Sequence, residues 1–517
     1  MEKNKPAVMA AIDVGSASIR LKIVQVEEKG AVRVLENVVR SVSIGRDTFS
    51  KGKISPEMVE EVCQTLLGFK RLMREYRVRI KRVVATTAVR EASNRDYVLE
   101  QIRVRTGFTV EVLNRSEERY LTRQAAFAAV PEFRARSAEG LLYTHIGSGT
   151  TQIAAFDPDG LSFSQSTQMG CLRIRQMLSS IEEQTLRFSQ VMEEFMISNV
   201  DFILREETKE AYRHFLISGG VCESLYRICE DKTPENPYAI VSTERFEEVY
   251  QQMLSVSSKD IAQRYELEPE RSELIVPSMM IVHTFCGITR AKQILFVFAG
   301  LLDGVLWELA DTQENRLQQI QSYEDILSYT RTLAKMFRCD FNHLQQVGEY
   351  AMMLFDALER THGLTARHRL LLQIGVLLHD SGKFLGISDH AAHSATIVQS
   401  AEFAGISQEE QNMIAMMARF HEGGEMSRVD ADFLQFGRKN RLVLAKLTGI
   451  LRIANAMDYS HRQKLKGTKI SVHGGRLVIA ASVRQDAALE NWKLLQFEEY
   501  IRDVFGLRLE FSIKRGN

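Results

Sequence analysis

The C-terminal half of the chain carries residues of the types and spacing that build a metal centre. His343 stands alone, "LLHDSGK" supplies the adjacent His379 and Asp380, and "ILRIANAMDYSHR" supplies Asp458. "DHAAHS" adds His390 and His393, and "ARFHEGG" adds His421. A histidine, a His-Asp pair and a distant aspartate on separate helices can meet around one divalent cation and leave positions open for water. Such a cation lowers the pKa of the water and steadies phosphate oxygens. His343, His379, Asp380 and Asp458 form a mixed N/O set that suits manganese, iron, cobalt or zinc better than magnesium. His390, His393 and His421 are read as ligands of a second metal or as contacts to a substrate phosphate. The ordinary alternative is core packing, since one histidine on an apolar helix is usually a satisfied interior residue. Seven of the twelve histidines fall between 343 and 421, which weighs against that alternative.

The N-terminal half offers a different chemistry. "AIDVGSASIRL" and "YTHIGSGTTQIAAF" each read as a strand, a turn of small residues and a second strand. Turns of this kind present backbone N–H groups to phosphate oxygens. Two of them facing across a cleft would grip successive phosphates, and Asp13 could hold a hydrated magnesium ion through oxygen. Arg90 in "TTAVREASN" could clamp a phosphate with its guanidinium, and Glu118, at a helix start, could orient or deprotonate a water. Each also has a plain reading: Asp13 as a turn former, Arg90 in a surface ion pair, Glu118 as an N-terminal helix charge favoured by the macrodipole.

The elements that must position these groups follow from pattern. Residues 8 to 26 read as two strands around a tight turn, 55 to 76 as an amphipathic helix, and 141 to 170 as a repeat of the opening theme. "HFLISGGVCESLYRI" and "QILFVFAGLLDGVLWEL" each read as strand, glycine, helix. That alternation predicts α/β architecture, with sheets covered by helices. From about 310 to 465 the apolar spacing is helical, as in "LQQVGEYAMMLFDALERTH". The last fifty residues return to strand, strand, helix, strand. With 517 residues the chain has room for three or four domains, and 45% apolar with 26% charged residues is ordinary globular composition. Lys+Arg and Asp+Glu are both 66, so no global basic field attracts DNA or RNA, and neither is expected as a partner. Six scattered cysteines without a CxxC pair suit a reducing compartment. No signal-peptide run or membrane-spanning segment is apparent, so a cytoplasmic protein without a membrane partner is expected.

"AIDVGSASIRL", "ATTAVREASN", "EVLNRSEERYL", "HIGSGTTQ", "ISGGV" and "VFAGLLDGVL" together resemble, in order and spacing, the exopolyphosphatase / guanosine pentaphosphate phosphohydrolase (Ppx/GppA) family of the actin-like superfamily. The resemblance implies an actin-like two-lobed α/β module with its cleft between lobes at residues 1–135 and 136–308. It implies hydrolysis of terminal phosphate from polyphosphate or pppGpp, and a homodimer with a polyphosphate channel. By position, Asp13, Gly15, Ser16 and Ser18 match the first phosphate loop, Arg90 the phosphate clamp and Glu118 the catalytic glutamate. Gly147, Ser148, Gly149 and Thr150 match the second loop, and Gly219 and Gly220 the third. In the family the second loop reads approximately D-x-G-G-G-S-T-E. Here His145 and Gln152 stand where it has carboxylates, which puts magnesium and hydrolysis at this cleft in question. Arg119 replaces a small residue, Val221 a threonine and Leu302 an arginine. "HD-GK" and "LRIANAMD" resemble the HD phosphohydrolase superfamily, which implies an all-α HD domain at 309–465 with a metal held by His343, His379, Asp380 and Asp458. A small α/β domain at 466–517 would close the chain.

The function expected is therefore release of terminal phosphate from polyphosphate, pppGpp or both. Two other readings remain open. In one, the first module senses polyphosphate or a guanosine penta- or tetraphosphate while the HD metal hydrolyses a nucleotide or phosphate ester. In the other, the protein is a regulator that binds a phosphate ligand without catalysis.

Overall fold

The computed structural model describes residues 7–26, 32–182, 191, 194–198, 212–310, 313–424 and 431–515. The chain divides into two compact units, Met1–Asp325 with Glu402–Gly405, and Ile326–Ala401 with Ile406–Asn517.

Two mixed sheets form the first unit. One contains β1 (Ala7–Val14), β2 (Ser18–Val26), β3 (Val32–Ser41), β4 (Ile80–Ala85) and β5 (Glu111–Val112), in the order β3-β2-β1-β4-β5. The other contains β6 (Leu141–Ile146), β7 (Thr151–Asp157), β8 (Gly160–Thr167), β9 (His214–Gly219), β10 (Tyr238–Ser242) and β11 (Gln293–Val297), in the order β10-β11-β9-β6-β7-β8. The topology repeats: an antiparallel three-strand meander, then parallel strands added on the far side of the first strand. Only β10, antiparallel on the edge, departs from the repeat. A parallel neighbour requires a long crossover, and helices such as Pro56–Glu75 supply it. All six residues of β6 are buried, as expected for a strand covered on both faces. The α/β expectation thus holds for this unit.

One helix matters most to the first unit's site. Asn114 accepts from Glu117 N at 2.9 Å, and the Glu117 carboxylate accepts from Asn114 N at 3.0 Å. This reciprocal cap starts the helix Arg115–Ala129 at a defined residue and so fixes where Glu118 emerges. The helix packs against Leu301–Ala310, with Leu121, Leu302, Val305 and Leu306 joining Met9 and Val24 in one apolar cluster. Leu302 is buried there.

In the second unit the described residues from 326 to 456 form helices and turns and no strand. Its principal helices are Phe341–Ala357, Ala366–Leu378, His390–Ser400, Gln408–Phe420 and Arg438–Ala456. Three strands follow: β12 (Leu465–His473) is antiparallel to β13 (Arg476–Val483), which runs parallel to β14 (Arg508–Arg515). No helix among the described residues is long and apolar enough to cross a membrane.

The helix contact gives a stability prediction. A Cβ at Gly304 would lie 2.1 Å from the Leu121 carbonyl oxygen, a backbone atom that cannot swing aside. Gly304→Val should therefore cost about 1–3 kcal/mol through overpacking. Gly68→Ala, a helical site with nothing near the added carbon, should be neutral or stabilise by about 0.5–1 kcal/mol. Urea unfolding of both variants checks this, and a wild-type midpoint for Gly304→Val would contradict the close approach.

Candidate functional site

Within the first unit, a cavity of about 220 Å³ is lined by the three glycine loops, Asp13 and Glu118. Gly15, Ser16 and Ser18, the stretch Gly147, Ser148, Gly149 and Thr150, and Gly219 with Gly220 all contribute. The first two loops are built alike. Gly15 N donates to Ser18 O at 3.1 Å and Gly147 N donates to Thr150 O at 2.9 Å. A Cβ on either glycine would stand 2.9 or 2.8 Å from that same carbonyl, so both turns are too tight for a side chain. The repeated strand-turn-strand pattern thus produces two matching backbone cradles.

Asp13, at the end of β1, is half-buried, and its Oδ1 is buried without a hydrogen-bond partner. Burial pushes its carboxyl up to about 7 against the pull of Arg20, and Glu118 adds to the rise. An orphaned buried carboxylate oxygen facing a phosphate-sized cavity fits a hydrated cation. Arg90 does not line the cavity. Its guanidinium sits behind Glu118, donating to Glu118 Oε2 and Leu113 O, both at 2.8 Å, and to Thr87 Oγ1 at 3.1 Å. In this arrangement it orients the glutamate.

His145 and Gln152, which stand where the resemblance implies carboxylates, are parts of neutral networks. His145 Nδ1 lies 2.8 Å from Ser218 Oγ, which lies 2.8 Å from the Tyr143 hydroxyl. Burial, reinforced by Arg20, pushes the imidazole down to about 4, so it is uncharged at neutral pH. The Gln152 amide oxygen accepts from Thr122, one helical turn beyond Glu118. Val221 lines the cavity with its side chain buried.

Positive charge in the cavity comes from Arg20, Lys22, Arg46 and Arg271, none of which stood out in the sequence. Arg20 Nε donates to Ser18 Oγ at 3.1 Å, Lys22 pairs with Asp303, and Arg271 donates to Gly220 O at 3.2 Å. Strand alternation was the signal for two of them: Ser18, Arg20 and Lys22 lie at i, i+2 and i+4 of β2 and share one face.

The second unit gathers most of the histidine set around one carboxylate. Asp380 Oδ1 lies 3.5 Å from Nε2 of both His390 and His421. Its Oδ2 lies 3.9 Å from His343 Nε2, 3.8 Å from His379 Nε2 and 2.6 Å from Lys383 Nζ. His379, His390 and His421 each turn Nδ1 toward the carbonyl three residues earlier, at 2.7, 3.1 and 2.7 Å. That contact selects the tautomer with an unprotonated Nε2, the usual state of a ligating imidazole. All three Nε2 atoms and Asp380 Oδ1 are buried without a hydrogen-bond partner. Native interiors rarely leave such groups unanswered, and two overlapping sets, His343-His379-Asp380 and Asp380-His390-His421, are compact enough to hold a cation. Burial pushes His379 down to about 3 despite the pull of Asp380, with His421 and His343 adding to the drop. Burial works to raise the Asp380 carboxyl, but His379, His421 and Lys383 hold it far below its ordinary value.

Asp458 is placed behind this cluster. It accepts from His343 Nδ1 at 2.9 Å and from the backbone and side chain of Gln463 at 2.7 and 3.0 Å. His393 belongs to neither compact set. His461, which sequence spacing did not mark, stacks on His343 with ring centroids 3.6 Å apart. Lys383 was legible as the last residue of "HDSGK", one helical turn from Asp380.

Comparison with known proteins places this geometry. The Ppx/GppA phosphatase family profile matches residues 23–313, and that of Ppx/GppA phosphatase, domain III, matches residues 328–500. A guanosine-5'-triphosphate,3'-diphosphate pyrophosphatase of Photobacterium profundum is 20% identical over 425 residues, covering 82% of each chain. Exopolyphosphatase 2 of Mycobacterium tuberculosis is 24% identical over 318 residues, covering 58% of this chain and 98% of its own. The crystal structure of an exopolyphosphatase from Cytophaga hutchinsonii superposes with a TM-score of 0.52 at 18% identity, covering 59% of this chain and 98% of that one, which is a likeness of fold. With one profile spanning more than half its length and a second spanning most of the remainder, the chain belongs to the Ppx/GppA phosphatase family.

Proposed function

We propose that the protein is a phosphoric anhydride hydrolase that releases terminal phosphate from inorganic polyphosphate, pppGpp or both. The carrying observation is that three glycine loops, Asp13 and Glu118 converge on one cavity that also holds Arg20 and Arg271. The related pyrophosphatase and exopolyphosphatase are named for these two substrate classes. The two sheets correspond to actin-like lobes at 1–135 and 136–308. Loop N–H groups and the cavity's guanidinium groups neutralise the phosphate oxygens, where charge is greatest in the transition state. Glu118, held by Arg90 through Oε2, uses its other oxygen to position and deprotonate the attacking water. Magnesium held through Asp13 would add charge neutralisation; the second loop offers it imidazole and amide in place of carboxylates.

A second reading concerns the helical unit, taken as an HD-type domain at 309–465 followed by a small α/β domain at 466–517. It binds a divalent transition metal and acts on a nucleotide or another phosphate ester. The four orphaned atoms around Asp380 support it.

Two predictions follow from the cleft. Glu118→Gln keeps the side chain's shape but cannot take a proton, so kcat for polyphosphate or pppGpp should fall about 100-fold or more with KM nearly unchanged. A phosphate-release assay with both substrates reads this, and equal rates would remove Glu118 from the mechanism. The double variant His145→Asp with Gln152→Glu supplies two oxygen ligands that magnesium favours, and should raise magnesium-dependent phosphate release. An unchanged or lower rate in folded protein would mean that the Tyr143-Ser218-His145 network has reshaped the loop beyond that repair.

A further inference from the structure

We infer that Glu402 is a positioning residue for hydrolysis in the cleft: its carboxylate neutralises the buried Arg119 and ties the helix that carries Glu118 to β8. The inference rests on the reading that Glu118 activates the attacking water, and it names the group that fixes that helix.

Glu402–Gly405 belongs to the first unit, although the helices before and after it in sequence, His390–Ser400 and Gln408–Phe420, belong to the second. Glu402 Oε2 forms an ion pair with Arg119 Nη1 and accepts from Ser166 N, in β8, at 2.7 Å. Arg119 Nη2 donates to Phe403 O at 3.1 Å, and Gly405 N donates to Ser116 Oγ at 3.0 Å. The Phe403 side chain is buried, so an apolar anchor holds the segment together with these polar contacts. Ser116 and Arg119 are three residues apart in the helix Arg115–Ala129 and share one face. Glu118 leaves from another face, where Arg90 holds it. The start of the helix is therefore gripped from two sides.

Charge makes the second grip specific to Glu402. The Arg119 side chain is 7% exposed, and a guanidinium so buried requires a counter-charge. Its ion-pair partner among the described residues is Glu402, since the neighbouring Glu118 is paired with Arg90. The same carboxylate reaches β8, where Ser166 stands opposite Gln152 of β7. Gln152 in turn accepts from Thr122, one turn beyond Glu118. Helix and sheet are thus joined at two neighbouring points, one neutral and one charged. Without Glu402 the buried cation keeps a carbonyl oxygen but no compensating charge. Relief requires the guanidinium to move toward water, and the start of the helix moves with it. Misplacing a catalytic group by about 1 Å can cost about 100-fold in rate, so even a partial displacement of Glu118 reads out in kcat.

The test uses the full-length chain and phosphate release from polyphosphate and pppGpp. Glu402→Gln keeps the shape and can still accept from Ser166 N, but it leaves Arg119 uncompensated. Its kcat should fall about tenfold with KM nearly unchanged, because the glycine loops that hold the substrate are untouched. Neutralising both partners, Arg119→Met with Glu402→Gln, removes the cation and should return kcat to within about threefold of wild type. A role in stability alone would lower the unfolding midpoint and leave the kcat of folded protein at the wild-type value. Wild-type kcat in folded Glu402→Gln, or a double variant no faster than that single one, overturns the inference while leaving the role of Glu118 intact. Glu402→Asp retains the charge and so the fold, but one methylene shorter it cannot hold Arg119 and Ser166 together. It decides by the same kcat criterion where Glu402→Gln does not fold. Release of phosphate from neither substrate by wild type overturns the hydrolytic reading, and this inference with it.

Discussion

An ionised group cannot enter a protein interior without an answering charge or hydrogen bond, because desolvation alone costs several kcal/mol. The buried Glu118 and Asp380 and the half-buried Asp13 satisfy that constraint in three ways, and the two candidate sites are arranged around the solutions. Glu118 is answered by Arg90, an ion pair at 2.8 Å within the protein. Asp380 is answered by Lys383 and by imidazoles that still have lone pairs to offer. Asp13 has Arg20 nearby but keeps one oxygen orphaned and a carboxyl pushed up to about 7. The first is complete as it stands, whereas the other two invite a cation.

The same constraint bears on the glycine loop at 147–150, whose flanking strands carry His145 and Gln152. An aspartate at 145 would lie in a buried strand beside Ser218, and a glutamate at 152 in a buried strand beside Thr122. In this chain both positions carry neutral groups with partners of their own, so no charge is left uncompensated. The backbone cradle at Gly147 survives because it depends only on the turn. The cleft at this loop thus offers backbone N–H groups without a carboxylate, and its positive side chains are Arg20, Lys22, Arg46 and Arg271.

What could be read from the sequence follows the range of the interactions. The glycine turns at 15 and 147 and the Asn114-Glu117 cap close within three residues, so their residues announce them. The switch from strand to helical periodicity is equally local. Arg90 stood out by its motif, but its partner did not, because Glu118 is 28 positions away and only the fold decides whether a guanidinium faces ligand or glutamate. Asp458 and His343 are 115 positions apart, and their mutual hydrogen bond cannot be separated by spacing from shared ligation of a metal. His390 and His421 gave a pattern as good as that of His343. Their orphaned nitrogens become visible only when the partners of every neighbouring group are known.

Donor chemistry separates the two sites more sharply than position does. Asp13 offers oxygen within reach of backbone N–H groups that attract phosphate, an environment for a hard, hydrated cation that the substrate itself helps to bind. The Asp380 cluster offers imidazole nitrogen, which favours zinc, cobalt or iron and is indifferent to phosphate for its integrity. A chelator selective for transition metals would therefore act on the helical unit and leave magnesium-dependent chemistry at the cleft untouched. The two donor sets differ in the cations they favour, so neither can substitute for the other.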